Sequence, residues 1–285
     1  MIVILSLQPT ALKVMGRIIA IANQKGGVGK TATAVNLSAC LAAEGKKTLL
    51  VDMDPQCNAT SGVGLAPADA AVSVYGAVMG DVSMGEIIKP AGIEGLFVAP
   101  SSPHLTGAEI ELIDVPNREK RLKESLSPVV YLYDYILIDC PPSLGLLTLN
   151  SLSAAGTALA PLQCEYYALE GLTRLIETIE MVKATFNPVL RLEGILLTMF
   201  DARNNLSHQV SEEVIKHFGN RVFETVIPRN VRLGEAPSFG KPIIVYDPQS
   251  KGAETYRSLA RELIARGRFG VPQLNPQSGE SVTSI

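Results

Sequence analysis

Seven consecutive residues, Lys25-Gly26-Gly27-Val28-Gly29-Lys30-Thr31, have the types and order that cradle phosphate groups. Glycines at 26, 27 and 29 let backbone N–H groups approach phosphate oxygens with no Cβ in the way. Lys30 would neutralise β- and γ-phosphates, and the Thr31 hydroxyl would ligate Mg2+. Thr31 also opens a predicted helix whose N-terminal dipole favours anions. The common phosphate-loop pattern carries another glycine five residues before Gly29. Here Gln24 stands in that place, and a second lysine, Lys25, heads the loop.

Three carboxylates sit where such a loop could use them. Tyr135-Ile136-Leu137-Ile138-Asp139 is an apolar run ending in an acid, the arrangement that holds the water shell of Mg2+ at a strand end. Asp52 and Asp54 leave the carboxyl end of a second run, Thr48-Leu49-Leu50-Val51, where open α/β sheets bind ligands. Other chemistries are excluded. The three histidines, His104, His208 and His217, neighbour no nucleophile motif, so a Ser-His-Asp arrangement is not supported. Cys40, Cys57, Cys140 and Cys164 are too far apart for paired metal ligands and read as reduced, mostly packed thiols.

The elements that must position these groups follow from periodicity. Strands are expected at residues 17–23, 48–52, 96–100, 135–140, 157–163, 192–200 and 222–227, and helices at 31–43, at about 168–186 and at 207–218. Short helical stretches are expected at 72–78 and 84–88, and a charged helix at 106–126 is interrupted at Pro116. This alternation specifies an α/β fold, a doubly wound and mainly parallel sheet with helices on both faces. A chain of 285 residues, 47% hydrophobic and 19% charged, can bury a sizeable core in one large domain. That domain is expected over residues 15–267. The first fourteen residues are too short to span a bilayer and lack the basic start of a signal peptide; because Met15-Gly16-Arg17 leads straight into the first strand, they are read as a disordered or artefactual extension before a natural start at Met15, the alternative being a partner-binding or membrane-touching tail. Residues 268–285, polar and bearing Pro and Gly, are read as a flexible tail. The formal net charge of −3 gives no overall drive toward nucleic acid or anionic membrane, although residues 191–268 hold a mild excess of basic side chains.

Residues 25–31 resemble the deviant Walker A motif of the ParA/Soj and MinD superfamily of ATPases, a class of P-loop NTPases. The resemblance implies that ATP and Mg2+ are bound and that ATP drives a homodimer in which Lys25 reaches the partner's nucleotide. Ala32 departs from the usual Thr or Ser, but its backbone N–H can still meet the α-phosphate. Residues 52–58 resemble the family's D-x-D-P-Q-x-N signature, which implies that Asp54 positions or activates the attacking water and that Asp52 supports the Mg2+ shell. Catalytic roles thus fall on Lys25, Lys30 and Asp54, and metal roles on Thr31, Asp52 and Asp139. Gln163-x-Glu165, followed by Ala168-Leu169-x-Gly171-Leu172, also recurs in the family, near the nucleotide and the dimer face. The C-terminal motifs around Arg203, Pro228-Arg229-Asn230, Arg232, Glu235 and Lys241 resemble the Soj-type chromosomal proteins. By that resemblance Arg203 and Arg232 contact the DNA backbone without sequence preference, and residues 228–230 lie near the adenine. A ParB-like centromere-binding protein is the implied stimulating partner, in a cytoplasmic, nucleoid-associated setting with no membrane partner expected. Two relatives compete with this reading. A MinD-like membrane switch would end in a basic amphipathic helix, and an iron–sulfur carrier ATPase would need paired cysteines at its dimer face.

Overall fold

Strands covered by helices on both faces need continuous apolar runs rather than alternation, and such runs build the centre of this molecule. The computed structural model describes residues 15–269; the expected extension at 1–14 and nearly all of the expected tail lie outside the described residues. Among the described residues seven strands form one sheet: β1 (Arg17–Ile21), β2 (Thr48–Asp52), β3 (Lys89–Pro90), β4 (Leu96–Ala99), β5 (Tyr135–Asp139), β6 (Thr157–Gln163) and β7 (Arg191–Thr198). Their spatial order is β3-β4-β2-β5-β1-β6-β7. Every pairing is parallel except that of the two-residue edge strand β3 with β4. The register sets Ile21 and Asp52 on either side of Asp139. The carboxyl ends of β1, β2 and β5 are therefore level, and whatever leaves them shares one rim.

The connections supply α1 (Lys30–Ala43), α2 (Asn58–Gly62), α3 (Val74–Met79), α4 (Met84–Ile87), α5 (Leu105–Glu111), α6 (Arg121–Leu126), α7 (Leu146–Ala154), α8 (Ala168–Thr185), α9 (Asn205–Phe218), α10 (Val231–Glu235), α11 (Ile243–Tyr246) and α12 (Lys251–Phe269). One face of the sheet packs Leu49, Ile136 and Ile138 against residues such as Leu126, Leu152, Leu175 and Val182; the other packs Leu50 and Leu137 against Leu37, Leu41, Tyr256 and Leu259. Because α1 is enclosed between the sheet and α12, it is apolar or small nearly all round, as a fully buried helix must be. Its polar Asn36 is satisfied twice, donating to Ala32 O (2.8 Å) and accepting from the Ile243 N–H (2.7 Å). That second bond pins α11 to the helix that carries the phosphate loop.

Two expectations need correction. Residues 222–227 do not form a strand of the sheet; they touch β7 through an isolated bridge between Ile195 and Val222 and through bonds from the Phe223 and Ile227 N–H groups. The Glu224 and Thr225 N–H groups turn instead to the Glu262 carboxylate on α12, each at 2.9 Å, and Pro228 has no N–H to offer. An apolar pattern cannot reveal that a distant side chain takes the ladder donors. The strand expected at 192–200 stops at Thr198 because Met199 adopts φ 48°, a left-handed conformation that ends a strand. The helix expected at 106–126 breaks around Pro116 as anticipated, with Asn117 at φ 55° restarting the chain into α6.

Candidate functional site

Between β1 and α1 the chain makes the turn that its glycines allow. Gly27 and Gly29 take φ 74° and 89°, left-handed values that a side chain would strain, and a Cβ at Gly27 would meet nothing within 4 Å. The concave side of the loop is thus open backbone beside the start of a buried helix. The loop is braced from the sheet. Asn23 donates to Pro161 O (2.8 Å) at β6 and accepts from the Lys25 N–H (3.0 Å), and the Thr198 hydroxyl at the end of β7 donates to Val28 O (2.8 Å).

Lys30 is buried and donates from Nζ to Lys25 O at 2.9 Å, so its ammonium lies across the mouth of the loop. Burial pulls its pKa down, and the acidic groups facing it, Asp139 before Asp54, pull it back. Lys25 does not lie in the loop mouth. Its Nζ reaches Glu165 Oε2 at 2.6 Å, and Glu165 Oε1 accepts from the Gln163 amide.

The carboxylates behave differently from one another. Asp52 is fully buried and fully engaged: Oδ1 accepts from the Asp54 N–H (3.2 Å), while Oδ2 accepts from the Thr60 N–H (2.8 Å) and hydroxyl (2.7 Å). Burial outweighs these bonds and raises its pKa to about 6. Asp52 therefore shapes the loop that carries Asp54, and any contribution to an ion's shell runs through that loop. Asp54 Oδ1 accepts from the Gln56 N–H (2.9 Å), and its carbonyl accepts from the Ser101 hydroxyl (2.7 Å) at the end of β4. Thr60 and Ser101 were not legible as site residues. The Ser101 N–H donates to the Thr60 hydroxyl (2.9 Å), closing a network across β2, α2 and β4 that no local motif encodes.

Asp139 is fully buried, and among the described residues neither of its oxygens has a partner within hydrogen-bond distance. Burial raises its pKa well above the usual carboxylate range, Asp52 beside it adds to the rise, and the Thr31 hydroxyl and Lys30 ammonium offset part of it. An unpartnered buried carboxylate is costly and has the chemistry of a cation ligand. Among the described residues no group of three or more His, Cys, Asp and Glu side chains could hold a metal ion. One carboxylate and one hydroxyl fit Mg2+, which keeps several waters and takes its remaining ligands from phosphates.

This orphaned charge makes a stability prediction. The folded-state pKa values of Asp139 and Asp52 lie above their unfolded values, so the folded protein holds more protons, and stability should fall as pH rises from about 4 through the raised folded values. Asp139→Asn removes the larger part of that penalty. In EDTA at pH 7.5 it is expected to stabilise the nucleotide-free protein by about 1–3 kcal/mol and to flatten the decline between pH 5 and 8. Urea unfolding across that range checks it; an Asn variant less stable at every pH would show that the carboxylate is satisfied.

Pro228, Arg229 and Asn230 lie between β7 and α10, where the Arg229 N–H donates to Phe200 O (3.0 Å) and Asn230 caps α10 through the Arg232 N–H (2.8 Å). Arg229 lines a cavity of about 370 Å3 with Gln163, Glu165, Met199 and Asp201. Ala32 follows the loop into α1 and borders a second cavity, of about 390 Å3, with Thr31 and Pro237. Arg203 is exposed and paired through Nε and Nη2 with Asp201, both at 2.9 Å. Arg232 pairs with Glu235 (2.9 Å) and more loosely with Asp247 (3.5 Å). Each of these arginines is engaged locally rather than with the other, but exposed pairs of this kind contribute little and a phosphate can displace them. Arg266 is held by Glu262 (2.8 Å) and Val222 O (2.8 Å) and lies over the Phe223 ring at 4.1 Å. Lys251, Arg257 and Arg261 likewise have partners within the protein, in Glu254, Pro248 O and Glu44. All four cysteines are buried and free, with burial raising the Cys140 thiol to about 12. No helix of the described residues is long and apolar enough to cross a membrane.

Comparison with known proteins accords with this geometry. A family profile described as an AAA domain matches residues 16–192. The chain is 58% identical to the chromosome partitioning protein ParA of Myxococcus xanthus over 88% of its own length and 89% of that protein's. It is also 58% identical to the sporulation initiation inhibitor protein Soj of Bacillus subtilis, over 89% of its own length and the whole of Soj. Among solved structures, it is similar to cobyrinic acid a,c-diamide synthase from Mycobacterium smegmatis with bound ATP analog and magnesium. The TM-score there is 0.78, with 37% identity over 89% of this chain and 96% of that one. The cell division ATPase MinD of Pyrococcus furiosus gives a TM-score of 0.72 at 28% identity, over 88% and 99% of the two chains.

Proposed function

We propose that this chain, which belongs to the ParA/Soj family of chromosome-partitioning ATPases, is a dimeric switch that holds DNA while ATP is bound and lets go on hydrolysis. The reading rests above all on one observation: the glycine loop with Lys30, the Asp54 loop and the unpartnered Asp139 meet at the level carboxyl ends of β1, β2 and β5. Loop N–H groups, with that of Ala32, and the Lys30 ammonium bind the phosphates of ATP. Thr31 and Asp139 would hold Mg2+, with Asp52 supporting the loop beside them, and the bound ion would neutralise phosphate charge. Asp54 orients the attacking water. Lys25 supplies a cation to the partner's nucleotide, so hydrolysis to ADP and phosphate depends on dimerisation. Pro228, Arg229 and Asn230 border the adenine. The ATPase occupies residues 15–267, works in the cytoplasm on the nucleoid, and is stimulated by a ParB-like protein. The high identity to ParA and Soj proteins favours this reading over a MinD-like membrane switch. An iron–sulfur carrier is disfavoured because all four cysteines are buried.

Dimerisation would bring two copies of Arg203 and Arg232 onto one surface, where phosphate contacts carry little base information. The test is binding to a duplex of arbitrary sequence with ATP, ADP or no nucleotide at two salt concentrations, with anionic liposomes in parallel. Salt-sensitive binding that requires ATP is the expected result. Arg203→Ala combined with Arg232→Ala should keep the ATP dimer while weakening DNA affinity by at least about tenfold, and the log–log salt slope should shrink by about 0.9 for each phosphate no longer neutralised. Binding to liposomes but not to DNA would overturn the proposal.

A further inference from the structure

The geometry points to Glu165 as a positioning residue that parks Lys25 in the single protomer, an inference that rests on the dimeric reading above. The backbone of Lys25 is fixed at both of its polar groups: its N–H donates to Asn23 Oδ1 (3.0 Å), and its carbonyl accepts from Lys30 Nζ (2.9 Å). Only the side chain has a choice of place, and it takes Glu165 Oε2 at 2.6 Å. Glu165 is itself held, by the Gln163 amide on its other oxygen and by backbone bonds linking Gln163, Glu165 and Ala168. Lys25 is thereby tied to the segment joining β6 to α8, away from the mouth of its own phosphate loop.

The tie is built to be broken. Its two side chains are 42% and 45% exposed, so the pair is screened and weak. The next two residues of the segment, Tyr166 and Tyr167, are 78% and 66% exposed and packed edge to face, with ring centroids 5.0 Å apart. Two adjacent exposed aromatic side chains are surface that association would bury. The occupant that fits is a second copy of this chain, because the cation released when the segment moves is the one that the partner's phosphates need. Docking on Tyr166 and Tyr167 would shift Glu165 and hand Lys25 over, coupling dimer formation to completion of the partner's site. A lone protomer then keeps its second lysine neutralised.

The test uses the full chain and Glu165→Gln, which keeps the shape and removes the charge. Lys25 is labelled with an amine-reactive reagent without nucleotide, its rate read by mass spectrometry against Lys251 as an internal standard; ATP turnover is measured against protein concentration. In the Gln variant Lys25 should label about two- to fivefold faster, and half-maximal turnover should need about two- to fivefold less protein, the range set by an exposed ion pair. Glu165→Asp, which retains the charge, should fall back toward the unaltered rates, a rescue that a purely structural role would not give. Unchanged labelling of Lys25 in the Gln variant overturns the inference, and so does faster labelling with an unchanged concentration dependence. If turnover of the unaltered chain does not depend on its concentration, the dimeric reading fails, while the labelling arm still decides whether Glu165 holds Lys25.

Discussion

Lys30→Ala is expected to lose about two to three orders of magnitude in ATP affinity while keeping its fold. The ammonium is buried across the mouth of the loop, and burial lowers its pKa, so it is a desolvated cation facing Asp139. Triphosphate would give it the charge-assisted bonds it lacks, and bonds of that kind in a water-poor site are worth several kcal/mol, or about a hundredfold or more. The fold should survive because, among the described residues, the side chain hydrogen-bonds only to Lys25 O, and alanine is a good residue at the start of α1. Calorimetric titration with a non-hydrolysable ATP analogue and magnesium, beside circular dichroism, checks both halves. A loss of less than about tenfold with native spectra would place the phosphates elsewhere.

Asp54 carries the other large effect. Both Asp54→Ala and Asp54→Asn should cut ATP turnover by about 10²- to 10⁴-fold, the usual worth of a positioned acid–base group, with ATP affinity changed little. The pair separates chemistry from architecture. Asp54 Oδ1 stabilises its own loop by accepting from the Gln56 N–H (2.9 Å), in a turn where Cys57 takes φ 58°. Asparagine preserves that acceptor and alanine does not. If Asp54 only shaped the loop, the Asn variant would turn over normally and the Ala variant would not. If it orients water, both fail alike and both should accumulate as ATP-bound, DNA-bound dimers. Single-turnover hydrolysis and gel filtration in ATP distinguish the outcomes.

The loop over residues 25–31 and the acid at the end of β5 were legible because each obeys a local rule. Phosphate needs close backbone approach, which only glycine permits, and a buried parallel strand ending in an aspartate leaves a carboxylate at the ligand-bearing rim. The doubly wound sheet was legible too, since continuous apolar runs alternating with helical segments have few other solutions. The edge strand β3, too short and too polar to carry a period, was not. Residues 222–227 misled because their apolar pattern is that of a strand, while the N–H groups of Glu224 and Thr225 are claimed by Glu262, 38 and 37 residues away.

The sequence by itself determined which groups could do chemistry and which strand ends would carry them. Only the tertiary structure decided what each group is paired with. Asp52 and Asp139 look alike in the chain, each an acid closing an apolar strand, and they sit opposite each other in the sheet. Yet Asp52 has three donors from a loop that folds back over it, whereas Asp139 has none within hydrogen-bond distance among the described residues. Lys25 and Lys30 stand five residues apart, and one crosses the loop mouth while the other is drawn off by Glu165, 140 residues along the chain. Residue type and local spacing fix charge and backbone conformation, because those are short-range properties. Burial and partnership depend on segments far apart in sequence, and they set whether a charge is spent within the fold or left available to a ligand.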